Sequence, residues 1–211
     1  MSGATLERLG ELASRLLANQ PSDGPLALIV LSGLPASGKS HLARLLSTRL
    51  LLPVIASDAV RRALFAVRTY DSAESNVVYS TCRQLAALRL SQGQGAIIDA
   101  TNLRESGRLA WQALARRQGA AFVLVRVVAS DQQTRDRMLL RAHVGDPGLS
   151  EATLGVYELL RDRHEPTALE HVLVLPETDL AEAVRDVAGR VAQQLAAPPT
   201  VDVVGRSSRD G

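Results

Sequence analysis

Leucines recur at helical spacing near the start of the chain, where Leu6, Leu9, Leu12, Leu16 and Leu17 share one face of a helix predicted over residues 5–18. The turn-rich stretch from Asn19 to Pro25 ends it, and the pattern then changes. Leu26-Ala27-Leu28-Ile29-Val30-Leu31 is an unbroken apolar run of strand length, as a parallel strand buried on both faces requires. Helical periodicity returns with Leu42, Leu45, Leu46 and Arg49-Leu50. Pro53-Val54-Ile55-Ala56 reads as a short second strand, and Ser57-Asp58 opens a helix with Val60, Leu64 and Phe65 on its apolar face. A longer helix is predicted over 73–92, closed by Gly93 and Gly95.

Ala96-Ile97-Ile98-Asp99 is the third strand, followed by a helix over 104–118 that stops at Gly119. Phe122 to Val128 forms the fourth strand, and Ser130 with Gln133 makes a capping box for the next helix. That helix runs into a break, His143-Val144-Gly145-Asp146-Pro147-Gly148, beyond which another helix extends from about Ser150 to Arg163. His171 to Leu175 is the fifth strand. A last helix carries Leu180, Val184, Val187, Val191 and Leu195 on one face, with Asp179 as its cap. Five strands alternating with helices predict an α/β, three-layer fold: a parallel sheet covered on both faces, with ligands at the carboxyl edge of its strands. We expect an N-terminal helix and linker over 1–24, one main domain over 25–196 with a helical lid at about 130–165, and a disordered tail over 197–211.

Composition narrows the picture. Aromatic residues make up 3% of the 211, so the core must be built from Leu, Val, Ile and Ala. A net charge of +2 argues neither for nor against a nucleic-acid partner. A lone cysteine permits no internal disulfide and no cysteine-based zinc site, and Cys82 lies at helical spacing among Val78, Leu85 and Leu88 as a small buried hydrophobe. No apolar stretch reaches membrane length and no secretory signal opens the chain, so we expect a cytoplasmic protein with no membrane partner.

Twenty-four residues are Lys or Arg, yet Lys39 is the sole lysine. It sits in Gly33-Leu34-Pro35-Ala36-Ser37-Gly38-Lys39-Ser40, a complete G-x-x-x-x-G-K-[ST] phosphate loop between a predicted strand and a predicted helix. A compact ammonium on a flexible stem fits between a turning backbone and a phosphate chain, where a planar guanidinium is too wide. We expect Gly33, Leu34, Pro35, Ala36, Ser37, Gly38, Lys39, Ser40 and His41 to hold the phosphates of ATP, with Lys39 also catalytic. Ser40 and Asp99, the latter ending a strand, are the expected oxygen ligands of Mg²⁺; a turn or helix cap is the alternative for Asp99. Ala100 follows, where mechanical ATPases of the AAA+ type usually carry a water-activating glutamate.

Asp58 follows the second strand and would stand beside the phosphate loop as general base and acceptor ligand. Arg61, one helical turn on, would hold an anionic part of the acceptor, whereas Arg62 projects about 100° round the helix and reads as surface. The competing possibility is that Asp58 merely complements its helix dipole, with Arg61 as its i, i+3 partner. Arg135, Arg137 and Arg141 precede the Gly/Pro break, and Arg137 and Arg141 share a face; either would serve as a catalytic lid arginine, or the set is a solvated stripe. The histidines show no metal-ligand spacing, and His143 and His164 read as surface residues.

Gly33 to Ser40, Ser57-Asp58-x-x-Arg61, Ile97 to Asn102 and Arg137-x-x-x-Arg141 occur in an order and spacing that resemble the AAA-type P-loop domains related to polynucleotide kinase, zeta toxin and gluconate kinase. The resemblance spans about residues 25–177. It implies a P-loop NTPase fold with a five-stranded parallel sheet of order 2-3-1-4-5, the residue at Asp58 as general base, that at Arg61 as acceptor ligand, and a lid arginine on the ATP phosphates. The leading expectation is an ATP-dependent kinase acting on a hydroxyl of a small polar molecule. A regulatory ATPase or nucleotide switch is the second possibility, though a guanine-nucleotide switch needs a further lysine in its base-recognition motif. A 5′-hydroxyl polynucleotide kinase is disfavoured by the scarcity of stacking aromatics. Oligomeric state is not set by the sequence.

Overall fold

The computed structural model describes residues 3–144 and 154–197. Its elements run α1 (Gly3–Leu17), β1 (Ala27–Ser32), α2 (Lys39–Leu50), β2 (Val54–Ala56), α3 (Ser57–Leu64), α4 (Ser72–Ser91), β3 (Ala96–Asp99), α5 (Glu105–Arg117), β4 (Ala121–Val127), α6 (Asp131–Val144), α7 (Leu154–Arg161), β5 (His171–Val174) and α8 (Leu180–Ala196). The strands form one parallel sheet of order β2-β3-β1-β4-β5, as the family resemblance implied. The break at Gly145-Asp146-Pro147-Gly148 and the expected tail beyond 197 lie outside the described residues.

Alternation along β1 divides the core between the two faces of the sheet. Leu28 and Val30 pack with Val78, Cys82 and Leu85 of α4, Trp111 and Leu114 of α5, and Leu9 and Leu17 of α1. Ala27, Ile29 and Leu31 pack with Leu42 and Leu46 of α2 and with Val184, Val187 and Val191 of α8. Cys82 is fully enclosed, and burial pushes its thiol up to about 12. A third, small cluster of Ala36, Met138 and Tyr157 seats α6 and α7 on the phosphate loop, and the Tyr157 hydroxyl donates to Asp131 Oδ1 at 2.7 Å. No helix among the described residues is long and apolar enough to cross a membrane.

Three helix starts follow local chemistry. The Ser130–Gln133 capping box closes in both directions, with bonds of 3.1 and 3.3 Å. Asp179 accepts from Ala181 N at 2.9 Å, and Asp71 caps α4 through Glu74 N at 2.8 Å. Periodicity overreached in three places. Leu45 is 36% exposed because Leu42 and Leu46 already set the stripe of α2, and Leu64 and Leu195 are 39% and 44% exposed because the last turns of α3 and α8 outrun the core. His164 is half-buried rather than a surface residue; burial, then the charges of Arg126 and Arg108, lowers its pKa and keeps the ring neutral.

Candidate functional site

The phosphate loop begins where β1 ends, and its backbone admits few residues. Gly33 has φ 151°, and a Cβ there would lie 2.2 Å from the Val127 carbonyl oxygen. Gly38 has φ 109° and occupies the cap position of α2 without supplying a side-chain cap. The first-turn amides of α2 thus meet the loop with no capping side chain between them and a ligand, the arrangement that suits a phosphate. Ala36, a non-glycine residue at φ 60°, adds local strain.

A buried network holds the loop in position. Gly33 N donates to Thr101 O at 3.0 Å, Ser32 Oγ to Asn102 O at 3.0 Å, and Asn102 Nδ2 to Leu31 O at 2.7 Å. Trp111 Nε1 donates to Asn102 Oδ1 at 3.0 Å, so the only tryptophan of the chain orients the residue that joins the ends of β1 and β3. Asn102 adopts φ 44°, a left-handed conformation that asparagine tolerates better than most residues.

Lys39 is 7% exposed, and its Nζ folds back to donate to Leu34 O at 2.6 Å, with Ser37 Oγ at 3.4 Å. His41 is exposed one turn into α2. Asp99 is 9% exposed. Burial raises its pKa against the lowering effects of the Lys39 charge and a hydrogen bond from the Ser40 side chain, and Asp58 raises it further. A buried carboxylate with the Ser40 hydroxyl beside it is an oxygen pair of the kind Mg²⁺ takes when phosphates and waters complete its octahedron, so the residues expected to hold the metal fit it.

Strand register aligns the rest. Leu31 pairs with Asp99, and Asp99 with Ala56, so the residues after β1, β3 and β2 emerge along one edge of the sheet. Asp58, half-exposed in the first turn of α3, stands close enough for its charge to act on Asp99, Tyr79 and Cys82. Tyr79 Oη lies 2.8 Å from Thr101 Oγ1 beside it. Arg137 reaches the loop from α6: its Nη1 donates to the carbonyls of Ala36 and Ser37, both at 3.1 Å. The Arg141 side chain lies outside the described residues, and Arg135 is exposed.

Arg61 departs from both sequence expectations. It is not directed to open space as an acceptor ligand would be, nor is Asp58 its ion-pair partner. Its guanidinium is ion-paired to Glu74 at the start of α4, with Arg61 5% exposed. The reason is tertiary: α3 packs on α4, and the α3–α4 turn brings the Glu74 carboxylate against the inward face of α3.

One structural residue escaped sequence reasoning. Arg108 of α5 is fully buried, donating to the carbonyls of Asn102, Leu103, Glu165 and Pro166 at 2.9, 2.7, 2.9 and 2.6 Å and to Glu105 Oε2 at 2.8 Å. Its position was the available signal, since Arg108 stands in register with Trp111 and Ala115 on the buried stripe of α5.

Comparison with known proteins agrees with this architecture. A model of the AAA domain family matches residues 28–167. A candidate kinase from Chloroflexus aurantiacus is 25% identical over 80% of this chain and 99% of its own, with a TM-score of 0.62. The APS kinase CysC of Mycobacterium tuberculosis, solved with AMPPNP and APS, is 20% identical over 80% of this chain and 99% of its own, TM-score 0.61. Kti12 of Chaetomium thermophilum, solved with ADP-AlF3, is 20% identical over 81% of this chain and all of its own, TM-score 0.65. No curated protein matches the chain significantly. The fold is P-loop kinase-like.

Proposed function

The chain belongs to the AAA domain family, and on that premise we propose that it is a kinase, transferring the γ-phosphoryl group of ATP to a hydroxyl of a small polar molecule. The observation that carries this is the register of β1, β3 and β2, which sets the half-exposed carboxylate of Asp58 along the same edge as the phosphate loop and Asp99. The acceptor hydroxyl gives its proton to Asp58 as its oxygen forms a bond to the γ-phosphorus. The bond from that phosphorus to the β,γ-bridging oxygen breaks, and ADP departs with the electron pair. Lys39 and the first-turn amides of α2 hold the β- and γ-phosphates, and Arg137 adds guanidinium charge from the loop side. Ser40 and Asp99 would hold Mg²⁺, which would supply positive charge to neutralise the phosphates.

Asp58→Asn tests the assignment. It keeps the size of the side chain and removes the charge and the proton acceptor. Transfer should fall by roughly 10²–10⁴-fold with ATP affinity nearly unchanged. If Asp58 only complements its helix, the change costs about 1 kcal/mol of stability or less and leaves turnover intact. Turnover is measured against a panel of sugars, nucleosides, aminoglycosides and 5′-hydroxyl oligonucleotides. Hydrolysis indifferent to Asp58, with no transfer to any acceptor, would instead support a nucleotide switch.

A further inference from the structure

The first turn of α4 takes up both terminal nitrogens of the Arg61 guanidinium, leaving Nε buried without a hydrogen-bond partner, and this bears on which acceptor the protein accepts. Arg61 and Glu74 form an ion pair whose side chains are 6% and 5% exposed. Arg61 Nη2 also lies 3.4 Å from Ser75 Oγ, and the Tyr70 ring lies 4.4 Å from the guanidinium carbon. Glu74 is as firmly held, accepting from Thr69 N at 2.6 Å, Thr69 Oγ1 at 3.0 Å and Tyr70 N at 3.3 Å. Tyr70 sits at φ 57°, strained backbone for a tyrosine, with its amide donating to the Glu74 carboxylate and its ring against the Arg61 guanidinium. Burial alone would raise the pKa of Glu74, but the Thr69 amide, the Arg61 guanidinium, the Thr69 hydroxyl and the Tyr70 amide together bring it down to about 2.

A substrate anion reaching Arg61 would have to displace this carboxylate and leave it buried without its counter-ion, a strongly unfavourable exchange. Within reach of the Asp58 charge stands Tyr79, whose hydroxyl lies 2.8 Å from that of Thr101. The charge of Arg83 reaches Cys82, but Asp58 and Asp99 bring two carboxylates to the same edge. We propose that Glu74 is the permanent anion for Arg61, so that the acceptor is an uncharged hydroxyl compound: a sugar, polyol or nucleoside lacking phosphate, sulfate or carboxylate groups. This rests on the kinase reading above and names its substrate class.

The test uses the full chain with Mg·ATP and matched acceptor pairs: glucose against glucose 6-phosphate, adenosine against 3′-AMP, sorbitol against gluconate. The uncharged member of a productive pair should have the higher kcat/KM by about tenfold or more. Preference for the charged member overturns the inference and leaves the kinase reading standing. ATP hydrolysis with no transfer to either class removes the kinase reading and this inference with it. A second measurement does not depend on turnover. With the nucleotide site filled by a non-hydrolysable Mg·ATP analogue, inorganic phosphate is titrated calorimetrically into wild type and into Glu74→Gln, which keeps the shape and, with its oxygen at the Oε2 position, the Thr69 amide contact, gives up the longer Tyr70 amide contact and frees the charge of Arg61. Phosphate should bind the variant at least about tenfold more tightly than wild type. Equal binding to both would show that Glu74 does not shield Arg61, and the inference falls.

Discussion

Lys39 and Asp99 are both largely buried, and under the proposed function each serves a ligand rather than the fold. The Lys39 ammonium folds onto the Leu34 carbonyl at 2.6 Å, a contact that a backbone of the same shape can lose without collapse. Lys39→Ala should therefore leave cooperative unfolding intact while reducing Mg·ATP turnover by about 10²-fold or more. Lys39→Arg should fail similarly, because the planar fork does not fit the loop. Calorimetric ATP affinity and turnover equal to wild type in either variant would reject the phosphate-site assignment. For Asp99 the sign can be worked out. Burial holds its folded-state pKa above the unfolded value despite Lys39 and Ser40, so the folded protein binds that proton more tightly than the unfolded chain does. Stability is then lost as pH rises from the unfolded value to the raised one, and the penalty persists above it. Asp99→Asn should raise or maintain the unfolding midpoint of the ligand-free protein at pH 7.5, while abolishing most of the extra stabilisation that Mg·nucleotide confers. A midpoint clearly lowered without ligand would contradict this.

Among the elements, α6 reaches the phosphate loop from outside it. Met138 and Tyr157 seat it on Ala36 of the loop, and Arg137 on its next face bridges two loop carbonyls. Arg137→Ala should lower turnover by about 10²-fold, and Arg137→Lys, which keeps the charge but not the fork, should recover only part of it. Unchanged turnover with a lowered unfolding temperature would reduce Arg137 to a brace for the loop. The start of α6 was legible, since Ser130 and Gln133 lie three residues apart and cap each other as the spacing demands. The choice between Arg137 and Arg141 was not legible. Two arginines at i, i+4 share a face, and the sequence carries no information on how that face is turned towards a loop 101 residues away.

The molecule is bound together across its layers by Arg108, which joins the turn after β3 to the segment before β5 through four carbonyls and one carboxylate. Arg108→Ala would strand those groups in a buried site and should cost about 3–5 kcal/mol in urea unfolding. A loss under about 1 kcal/mol would mean that water replaces the guanidinium without penalty. At this scale the division between sequence and structure is clear. Apolar runs of strand length, stripes at helical period and a phosphate loop between them determined the α/β class, the succession of elements and the nucleotide end of the site. Those signals are local, and each is read from residues that stay neighbours in the fold. The partner of Arg61 is 13 residues away and that of Arg108 as many as 58. Only the tertiary structure decided these. Periodicity states which face of an element is apolar, but strand order and helix packing decide which charged group that face meets.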